Sequence, residues 1–333
     1  MNKQVFNEVY KKFCHYVSLV SGKEKAPARL QIRYGAGVIW NYLKYRATVS
    51  DYFKLGFFKK HAAEKKTYLT SKKGLCFAEK IDSLEKITEL NSKQAMYSRL
   101  KAFTKREQVF TSEATYDEFV QFARKHEKFL YKPDVSDCGK GIEVWYTKDA
   151  DLEQLWKKAQ EFPAVLDSFI GQHHELKKIN PSSVNTIRIF TLIIGDSCNF
   201  IGAALRMGNG DVVVDNYSAG GLAGALDIKT GIVIDDAEDY VGRRYTYHPV
   251  SKVKMKGFQV PRWTDLLQFV EECAKSYELK YVAWDIAVRE EDCVLIEANP
   301  NGMTDVIQVA GASGRKKQYD ELLALFEKQK RGT

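Results

Sequence analysis

The feature of this sequence that most restricts its fold is a pair of apolar segments near its carboxyl end, Tyr281–Val288 and Val294–Ala298. A short charged turn, Arg289–Asp292, separates them, so the two segments are predicted to pair as an antiparallel hairpin. A turn centred at residue 291 places Asp285 opposite Glu297. Burying such polar groups among apolar neighbours is costly, and both carboxylates therefore need partners.

Three oxygen-bearing side chains fall on one face of this hairpin. Glu297 and Asn299 share a face because they are two residues apart in a strand, and Asp285 lies across from Glu297. Two adjacent carboxylates repel each other unless a cation compensates, and oxygen-only ligands suit Mg²⁺. The pattern therefore favours a magnesium site formed by Asp285, Glu297 and Asn299, with a solvent-facing polar stripe as the alternative.

A second candidate site follows the apolar segment Phe129–Tyr131, where Lys132 leads into a loop with two glycines. Glycines let backbone N–H groups approach anionic oxygens closely and a lysine supplies positive charge, as in phosphate binding, although an ordinary hairpin turn would look similar. Neither the Walker A pattern nor the G-x-G-x-x-G pattern occurs in the chain. The residues of this candidate phosphate site are Lys132, Ser136, Gly139, Lys140 and Gly141.

A third apolar segment, Val165–Ile170, leads into a polar stretch that contains two adjacent histidines. Backbone hydrogen bonds of such a strand could hold the edge of a purine. Neighbours in sequence rarely converge on one ion, and no Asp or Cys stands at a matching spacing. A metal or general-base role for His173 and His174 is therefore disfavoured.

An arginine lies inside a fourth apolar strand, in the segment Asn185–Thr191. Strand alternation places Asn185 and Arg188 on opposite faces. A buried arginine needs an anionic partner, and the sequence leaves open whether Arg188 pairs with a protein carboxylate or with a substrate. The segment 215–221 has the composition of a flexible loop that could close over a ligand.

The chain as a whole predicts an α+β protein with mostly antiparallel sheets. Apolar residues recur at three- and four-residue steps through residues 1–90, which predicts helices. An aromatic group between Trp40 and Phe58 is expected to form a helical core or a docking surface. Short apolar runs separated by turns follow from residue 91. Further elements are predicted as helices at 92–103, 151–160, 264–277 and 318–329, and as strands at 186–194, 200–206 and 231–234.

Composition excludes several classes of protein. No window approaches 18 uninterrupted apolar residues, so a membrane-spanning helix is not expected. The six cysteines include no C-x-x-C pair, which suits the reducing cytoplasm better than a zinc site or a disulfide framework. The net charge of +8 and the lysines of segment 59–73 fit a solvated helix face, an anionic small substrate or a nucleic acid.

Together these motifs resemble the ATP-grasp superfamily, and in particular its sugar-transfer-associated branch, which is related to α-L-glutamate ligase-like proteins. The resemblance covers most of the chain, and the Asp…Glu-x-Asn set of the hairpin is its most specific element. The segments that carry it are Val49–Phe53, Leu90–Lys93, Tyr131–Pro133, Gly139–Gly141, Ser183–Arg188, Asn216–Gly221, Asp285 and Glu297–Asn301.

The resemblance implies a two-lobe ATP-grasp fold that holds ATP between two α+β lobes, preceded by a helical region. The implied divisions are a helical N-terminal region at 1–90, a small lobe with the lysine strand and glycine loop at 91–165, and a large lobe with the hairpin at 166–333. Many ATP-grasp ligases carry an α/β domain ahead of the two lobes. No such pattern precedes residue 90, so recognition of the acceptor is expected to differ.

The resemblance also implies roles for individual residues. Lys132 would bind the α- and β-phosphates of ATP beneath the loop 136–141. The ligands of Mg²⁺ would be Asp285, Glu297 and Asn299. The residues that meet the nucleoside would be Asp167, Ser168, Phe169 and Ile170 at the adenine and Glu175 at the ribose. The residues expected to act in catalysis, at the phosphates or the acceptor, would be Lys132, Arg188 and Asn185.

By this resemblance the chain is expected to be a cytoplasmic Mg²⁺/ATP-dependent carboxylate–amine ligase that acts through an acyl phosphate. It would join an amino acid to a sugar acid or another polysaccharide precursor, so its partners would be small carboxylates and amines, with a homodimer left open. The same nucleotide site could instead serve a kinase that phosphorylates a sugar or another hydroxyl. A basic nucleic-acid-binding protein is the third alternative, and it leaves the hairpin carboxylates unexplained.

Overall fold

Helices and strands alternate along the part of the chain that the computed structural model describes, which is residues 3–134, 141–148, 150–210, 217 and 220–332. The helices are α1 (Lys3–Ser21), α2 (Ala28–Tyr45), α3 (Val49–Lys54), α4 (Ala62–Lys65), α5 (Ser71–Ile81), α6 (Leu84–Glu89), α7 (Lys93–Arg99), α8 (Lys101–Thr104), α9 (Tyr116–Lys125), α10 (Leu152–Glu161), α11 (His174–Ile179), α12 (Trp263–Lys275) and α13 (Lys316–Gly332). The strands are β1 (Gln108–Phe110), β2 (Lys128–Pro133), β3 (Glu143–Tyr146), β4 (Ala164–Ser168), β5 (Ile187–Ile194), β6 (Ser197–Met207), β7 (Leu222–Leu226), β8 (Ala237–Asp239), β9 (Arg244–Tyr245), β10 (Tyr281–Val288) and β11 (Cys293–Asn299). A search of these residues finds no helix with the length and apolar character needed to cross a membrane.

Residues 3–90 form helices α1 to α6, as the sequence predicts. Helix α3 begins at a capping box in which the Thr48 hydroxyl and the Asp51 carboxylate each accept a hydrogen bond from the other residue's backbone N–H. The Lys54 ammonium at the end of α3 forms a buried 2.8 Å ion pair with Asp305, which lies in the 3-10 turn Thr304–Gln308. This pair connects the helical region to the segment that follows the hairpin.

The aromatic group between Trp40 and Phe58 divides between core and surface. Phe53 and Phe57 are buried, and Phe53 stacks on Tyr16 of α1 with 5.0 Å between the ring centroids. Trp40 and Tyr42 are exposed. The group therefore builds the core of the helical region and also leaves an aromatic surface on α2.

Two antiparallel sheets follow the helical region. The four-stranded sheet has the order β1-β4-β2-β3, and the seven-stranded sheet has the order β11-β10-β5-β6-β7-β8-β9. Strand β10 is buried along its whole length because it lies between β5 and β11 and is covered by α12. The predicted α+β architecture with mostly antiparallel sheets is confirmed.

The hairpin forms in the predicted register. Asp285 pairs directly with Glu297, and Asn299 pairs with Ala283. The register shifts by one residue after Asp285, so Ile286 pairs with Leu295 and leaves Ile296 in a bulge. This irregularity lies at the one polar position of β10.

Other sequence predictions need correction. The segment 231–234 forms only isolated bridges, through Ile232 and Val233, and the amphipathic segment 92–103 breaks into two short helices. The glycine-rich segment 208–224 ends in β7, which pairs with β6. The sequence analysis did not indicate β1, because a strand of three half-buried residues carries too little periodicity to predict. It also missed α9, although the capping box of Thr115 and Glu118 marks the start of that helix.

Candidate functional site

A cavity of about 690 Å³ lies between the two sheets. Its walls come from β2 and β4 on one side and from β5, β6, β10 and β11 on the other. Among the described residues, six cationic side chains and four carboxylates line it, so the cavity suits an anionic ligand. The cationic residues are Lys93, Lys128, Lys132, Lys177, Arg188 and Arg206.

The wall formed by the four-stranded sheet centres on Asp167. Its carboxylate accepts hydrogen bonds from Lys132 on β2 and from Arg106, and all three side chains are almost fully buried. The register brings them together, since β4 lies between β1 and β2 and Lys132 is diagonal to Asp167. Burial opposes the charge on Lys132, yet the Asp167 carboxylate outweighs it and holds the Lys132 pKa above its usual value. Lys132 is therefore a fixed cation in the cavity wall.

The wall formed by the seven-stranded sheet centres on Asp285. Arg188 lies directly across from it on β5 and binds it through two nitrogens, and Arg206 on β6 reaches the same carboxylate at 2.8 Å. Burial would raise the Asp285 pKa, but the two guanidinium groups outweigh it and hold that pKa below its usual value. The partner of Arg188 that the sequence left open is thus a protein carboxylate.

Glu297 and Asn299 border Asp285 on β11. The Glu297 side chain is about one third exposed, and its nearest described cation is Lys93 of α7, whose ammonium lies 4.0 Å away. The Asn299 amide nitrogen lies 3.4 Å from an Asp285 oxygen. All three predicted ligands therefore face the cavity on adjacent positions of one sheet.

The donor chemistry of these three residues fits a hard cation such as Mg²⁺. Among the described residues, Arg188 is the one that donates to Oδ1 of Asp285, and an oxygen of a carboxylate has more than one lone pair. In the same part of the chain, the cation nearest the Glu297 carboxylate is the Lys93 ammonium at 4.0 Å, and the Asn299 side chain, whose amide nitrogen faces Asp285, also carries an amide oxygen. Two carboxylates and a neutral oxygen are a typical Mg²⁺ ligand set, with water or phosphate completing the shell.

The predicted nucleoside segment lines the same cavity. Ser168, Phe169 and Ile170 at the end of β4 all contribute to its wall, together with the apolar side chain of Leu130. The Lys128 ammonium lies 4.7 Å from the centroid of the Phe169 ring. The four-stranded sheet thus contributes apolar side chains to the cavity wall beside the charged groups of Lys128, Lys132 and Asp167.

Part of the predicted phosphate loop lies outside the described residues, namely Ser136, Gly139 and Lys140, as does most of the loop 215–221. Gly141 is described and has a φ of +77°, where a Cβ atom would lie 3.0 Å from Pro133. Glycine is therefore required at position 141 by the backbone conformation.

Asn185 is corrected by the structure, because it does not line the cavity. Its side chain is fully buried, and its amide donates hydrogen bonds to Gln172 and to the Leu176 and Asn180 carbonyl oxygens at 2.9–3.0 Å. Gln172 does line the cavity. Asn185 therefore holds the connection between β4 and β5 in shape, and a contact with the acceptor or the γ-phosphate is not supported.

We expect Asn185→Ala to lower the free energy of unfolding by about 2–3 kcal/mol, because it leaves several buried polar groups without a partner. Urea denaturation checks this value. Asn199→Ala is the matched control, since Asn199 is part-exposed and its amide lies 3.2 Å from the nearest acceptor, so its loss should cost below about 1 kcal/mol. Equal effects of the two changes would contradict the structural role of Asn185.

Glu175 is also corrected. It lies on α11 outside the cavity lining, where its carboxylate forms an ion pair with Lys178 at 2.5 Å and lies 3.1 Å from a ring nitrogen of His174. The neighbouring Lys177 lines the cavity instead. A contact between Glu175 and a ribose is therefore not supported.

The two histidines converge more closely than the sequence suggested. The His173 and His174 rings stack with 4.4 Å between their centroids, and both face Glu290 in the hairpin turn. One ligand atom from each of the three residues lies within 4.8 Å of the others. Because Glu290 binds both rings and the α11 backbone, the group anchors α11 to the hairpin turn.

Sequence reasoning missed several cavity residues, notably Lys93, Lys128, Lys177 and Arg206. Arg206 carried the same signal as Arg188, an arginine in an apolar strand, and could have been found by it. Lys93 stands in the segment Leu90–Lys93 but had no assigned role. Lys128 and Lys177 are exposed, and nothing in the sequence around them indicated a site. They line the cavity only because the fold brings their segments to its edge.

Comparison with solved structures finds several ATP-grasp proteins at low similarity. The ATP-grasp ligase PsnB complexed with its minimal precursor has 13% identity and a TM-score of 0.45, over 72% of this chain and 63% of that chain. An N5-carboxyaminoimidazole synthetase from Staphylococcus aureus, complexed with ADP, has 9% identity and a TM-score of 0.43 over 72% and 53% of the two chains. D-Alanine–D-alanine ligase from Bacillus anthracis has 11% identity and a TM-score of 0.40 over 74% and 70%. This chain thus covers less than two thirds of the length of that PsnB chain.

Two antiparallel sheets enclose the cation-lined cavity. A family described as sugar-transfer-associated ATP-grasp matches residues 74–322, which is about three quarters of the sequence. The chain belongs to this family. No curated protein sequence matches it.

Proposed function

We propose that this protein is a Mg²⁺- and ATP-dependent carboxylate–amine ligase that acts through an acyl phosphate in the cytoplasm. The observation that carries the proposal is the meeting of Asp285, Glu297 and Asn299 with Lys132 across one cavity. The seven-stranded sheet thus supplies the oxygen ligands and the four-stranded sheet supplies the Lys132 ammonium, and both face the same cavity. Oxygen ligands for a metal ion next to a fixed positive charge suit a nucleoside triphosphate bound with its metal ion.

The cavity residues divide the work of binding and charge neutralisation. Lys132 and Lys93 would neutralise phosphate oxygens, and the segment Ser168–Ile170 would hold the base against Leu130. Asp285, Glu297 and Asn299 would hold Mg²⁺, which supplies further neutralisation of the phosphates when bound. Because phosphoryl transfer needs positioning and charge more than covalent catalysis, these residues suffice for the first half of the reaction.

Arg188 is the candidate for stabilising charge that develops on the transferred group. It lines the cavity beside Glu297 and Asn299 and is oriented by its two bonds to Asp285. A guanidinium so fixed costs little reorganisation when charge appears next to it. The acceptor would be a small carboxylate, either a sugar acid or another polysaccharide precursor, and the nucleophile would be an amino acid.

Trapping of the acyl phosphate tests this proposal. We expect ADP release to depend on an added sugar acid, and we expect hydroxylamine to attack the acyl phosphate, forming a hydroxamate and releasing phosphate. Lys132→Met should lose this turnover, whereas Lys148→Met, on an exposed turn, should retain it. A stable phosphoester in place of the hydroxamate would favour the kinase alternative. Tight, salt-sensitive oligonucleotide binding without ATP binding would favour a nucleic-acid-binding protein.

A further inference from the structure

Helix α2 exposes large apolar side chains along one stripe. Ile32, Ile39, Trp40 and Leu43 are each more than 60% exposed, and Ile32 reaches 73%. Their spacing of seven, one and three residues keeps them on one side of the helix. The opposite side of α2 packs against the rest of the protein, since Asn41 and Tyr45 are buried. The stripe, which we call the α2 face, is therefore apolar surface that the described fold does not need for its own packing.

Cationic side chains border the α2 face. Arg29, Arg33, Lys44 and Arg46 are all exposed, and the sequence has no Asp or Glu between Lys25 and Ser50. The Lys44 ammonium lies 5.5 Å from the centroid of the Trp40 ring. An apolar stripe whose margins carry charge of one sign has a chemical complement that is apolar inside and anionic outside.

Neighbouring elements add to this charge. Lys72 of α5 donates a 3.0 Å hydrogen bond to the Tyr42 hydroxyl, and its ammonium lies over the same ring. The pKa of Lys65 on α4 is lowered, first by burial and then by repulsion from Lys44. Cations from three helices thus gather at α2.

Helix α1, which packs on α2, shows a related pattern. Its amino-terminal half exposes Phe6 and Tyr10, and Lys11 and Lys12 follow them. Its carboxyl-terminal half buries Phe13 and Tyr16 in the core. The apolar side of α1 therefore extends past the buried core, and its amino-terminal part is exposed.

We propose that the α2 face binds the surface of an anionic lipid membrane, with α2 lying in the plane of the interface. Aliphatic side chains and a tryptophan on one side of a helix, with lysine and arginine at the margins, are the features that anchor interfacial helices. Tryptophan and tyrosine favour the headgroup level, and lysine and arginine extend their charged ends toward lipid phosphates.

The charge distribution argues against a second copy of this chain as the occupant. In a symmetric dimer the same surface meets itself, so the cations at the margins would oppose one another. Anionic lipid headgroups compensate them instead. The nucleotide cavity includes no residue of α2, so membrane binding is separable from the function proposed above.

Co-sedimentation with lipid vesicles tests the proposal. We expect the full chain to bind vesicles of phosphatidylcholine mixed with phosphatidylglycerol, and to bind vesicles of phosphatidylcholine alone far more weakly. Added salt should release it, because each cation at the surface contributes about a fivefold gain in partitioning that salt screens.

Two variants address the apolar and the charged parts separately. Ile39→Ser/Trp40→Ser/Leu43→Ser should lower partitioning to mixed vesicles by about a hundredfold or more, because three apolar side chains no longer enter the interface. Arg29→Glu/Arg33→Glu should lower it by about 25-fold or more. The matched control Phe162→Ser/Val250→Ser/Leu325→Ser removes the same number of exposed apolar side chains elsewhere and should bind as wild type. Thermal melting should confirm that all three variants are folded.

Three results would overturn the proposal. The first is a wild-type protein that binds neither kind of vesicle. The second is equal binding by the triple α2 variant and its control. The third is a wild-type dimer in sedimentation velocity that the α2 variant dissociates while vesicles bind neither protein, which would assign the face to a second copy.

Discussion

Replacing Asp285 by asparagine should lower the free energy of unfolding by about 3 kcal/mol or more, because the change removes the buried carboxylate charge that both Arg188 and Arg206 bind. The Asp285 side chain is 4% exposed, and Arg188 and Arg206 are 13% and 12% exposed. Asparagine keeps the shape of the side chain, so the loss reports charge rather than a cavity. Urea denaturation followed by circular dichroism measures it.

The matched control for this change is Asp292→Asn. Asp292 also forms a two-bond ion pair, with Arg289, but both side chains are about one third exposed. Water screens such a pair, and its loss should cost below about 1 kcal/mol. If Asp285→Asn were no more costly than this control, the clasp of Asp285 by two arginines would not exist in solution.

Replacing Glu297 by glutamine should have the opposite profile, with activity lost and stability kept. We expect ATP turnover to fall by about a hundredfold or more, because a charge that would hold Mg²⁺ at the phosphates is removed. Glu297 is about one third exposed and its nearest described cation is 4.0 Å away, so the free energy of unfolding should change by less than about 1 kcal/mol. Steady-state kinetics and thermal melting measure the two quantities.

Melting with and without Mg²⁺ and ATP separates binding from turnover. Wild type should be stabilised by the pair of ligands, and Glu297→Gln should lose most of that gain. Glu278→Gln is the control, since Glu278 pairs with Arg99 on the surface away from the cavity lining. A Glu297→Gln protein that melts much earlier without ligands would instead give Glu297 a structural role.

The hairpin is the part of the site that the sequence predicted in detail. Its charged turn determines the register, and strand alternation then brings Asp285, Glu297 and Asn299 to one face. The sequence could not predict the bulge at Ile296, because bulges depend on how neighbouring strands pack. It also could not say that Arg188 and Arg206 both reach Asp285, since that contact requires the order of β10, β5 and β6 in the sheet.

The misplaced residues share one cause. Asn185 and Glu175 are close in sequence to residues that line the cavity. The connection between β4 and β5 nevertheless directs the Asn185 side chain toward Gln172 and the Glu175 side chain toward Lys178. Asn185 lies in an irregular segment and Glu175 on the six-residue helix α11, and neither is long and regular enough for a side-chain direction to be read from periodicity. Long helices and strands were therefore predicted better than the short segments that join them.

The ion pair between Lys54 and Asp305 bears on where a cooperative folding unit of this protein ends. The family match starts at residue 74, whereas Lys54 lies before it and neutralises a carboxylate of the cavity wall. A fragment cut at the family boundary would keep Asp305 and lose Lys54, so a buried carboxylate in the cavity wall would lose its ion-pair partner. The start of the family match and the start of the stable folding unit therefore differ. Helix α3 lies before the matched residues, but it contributes to the stability of the domain that they form.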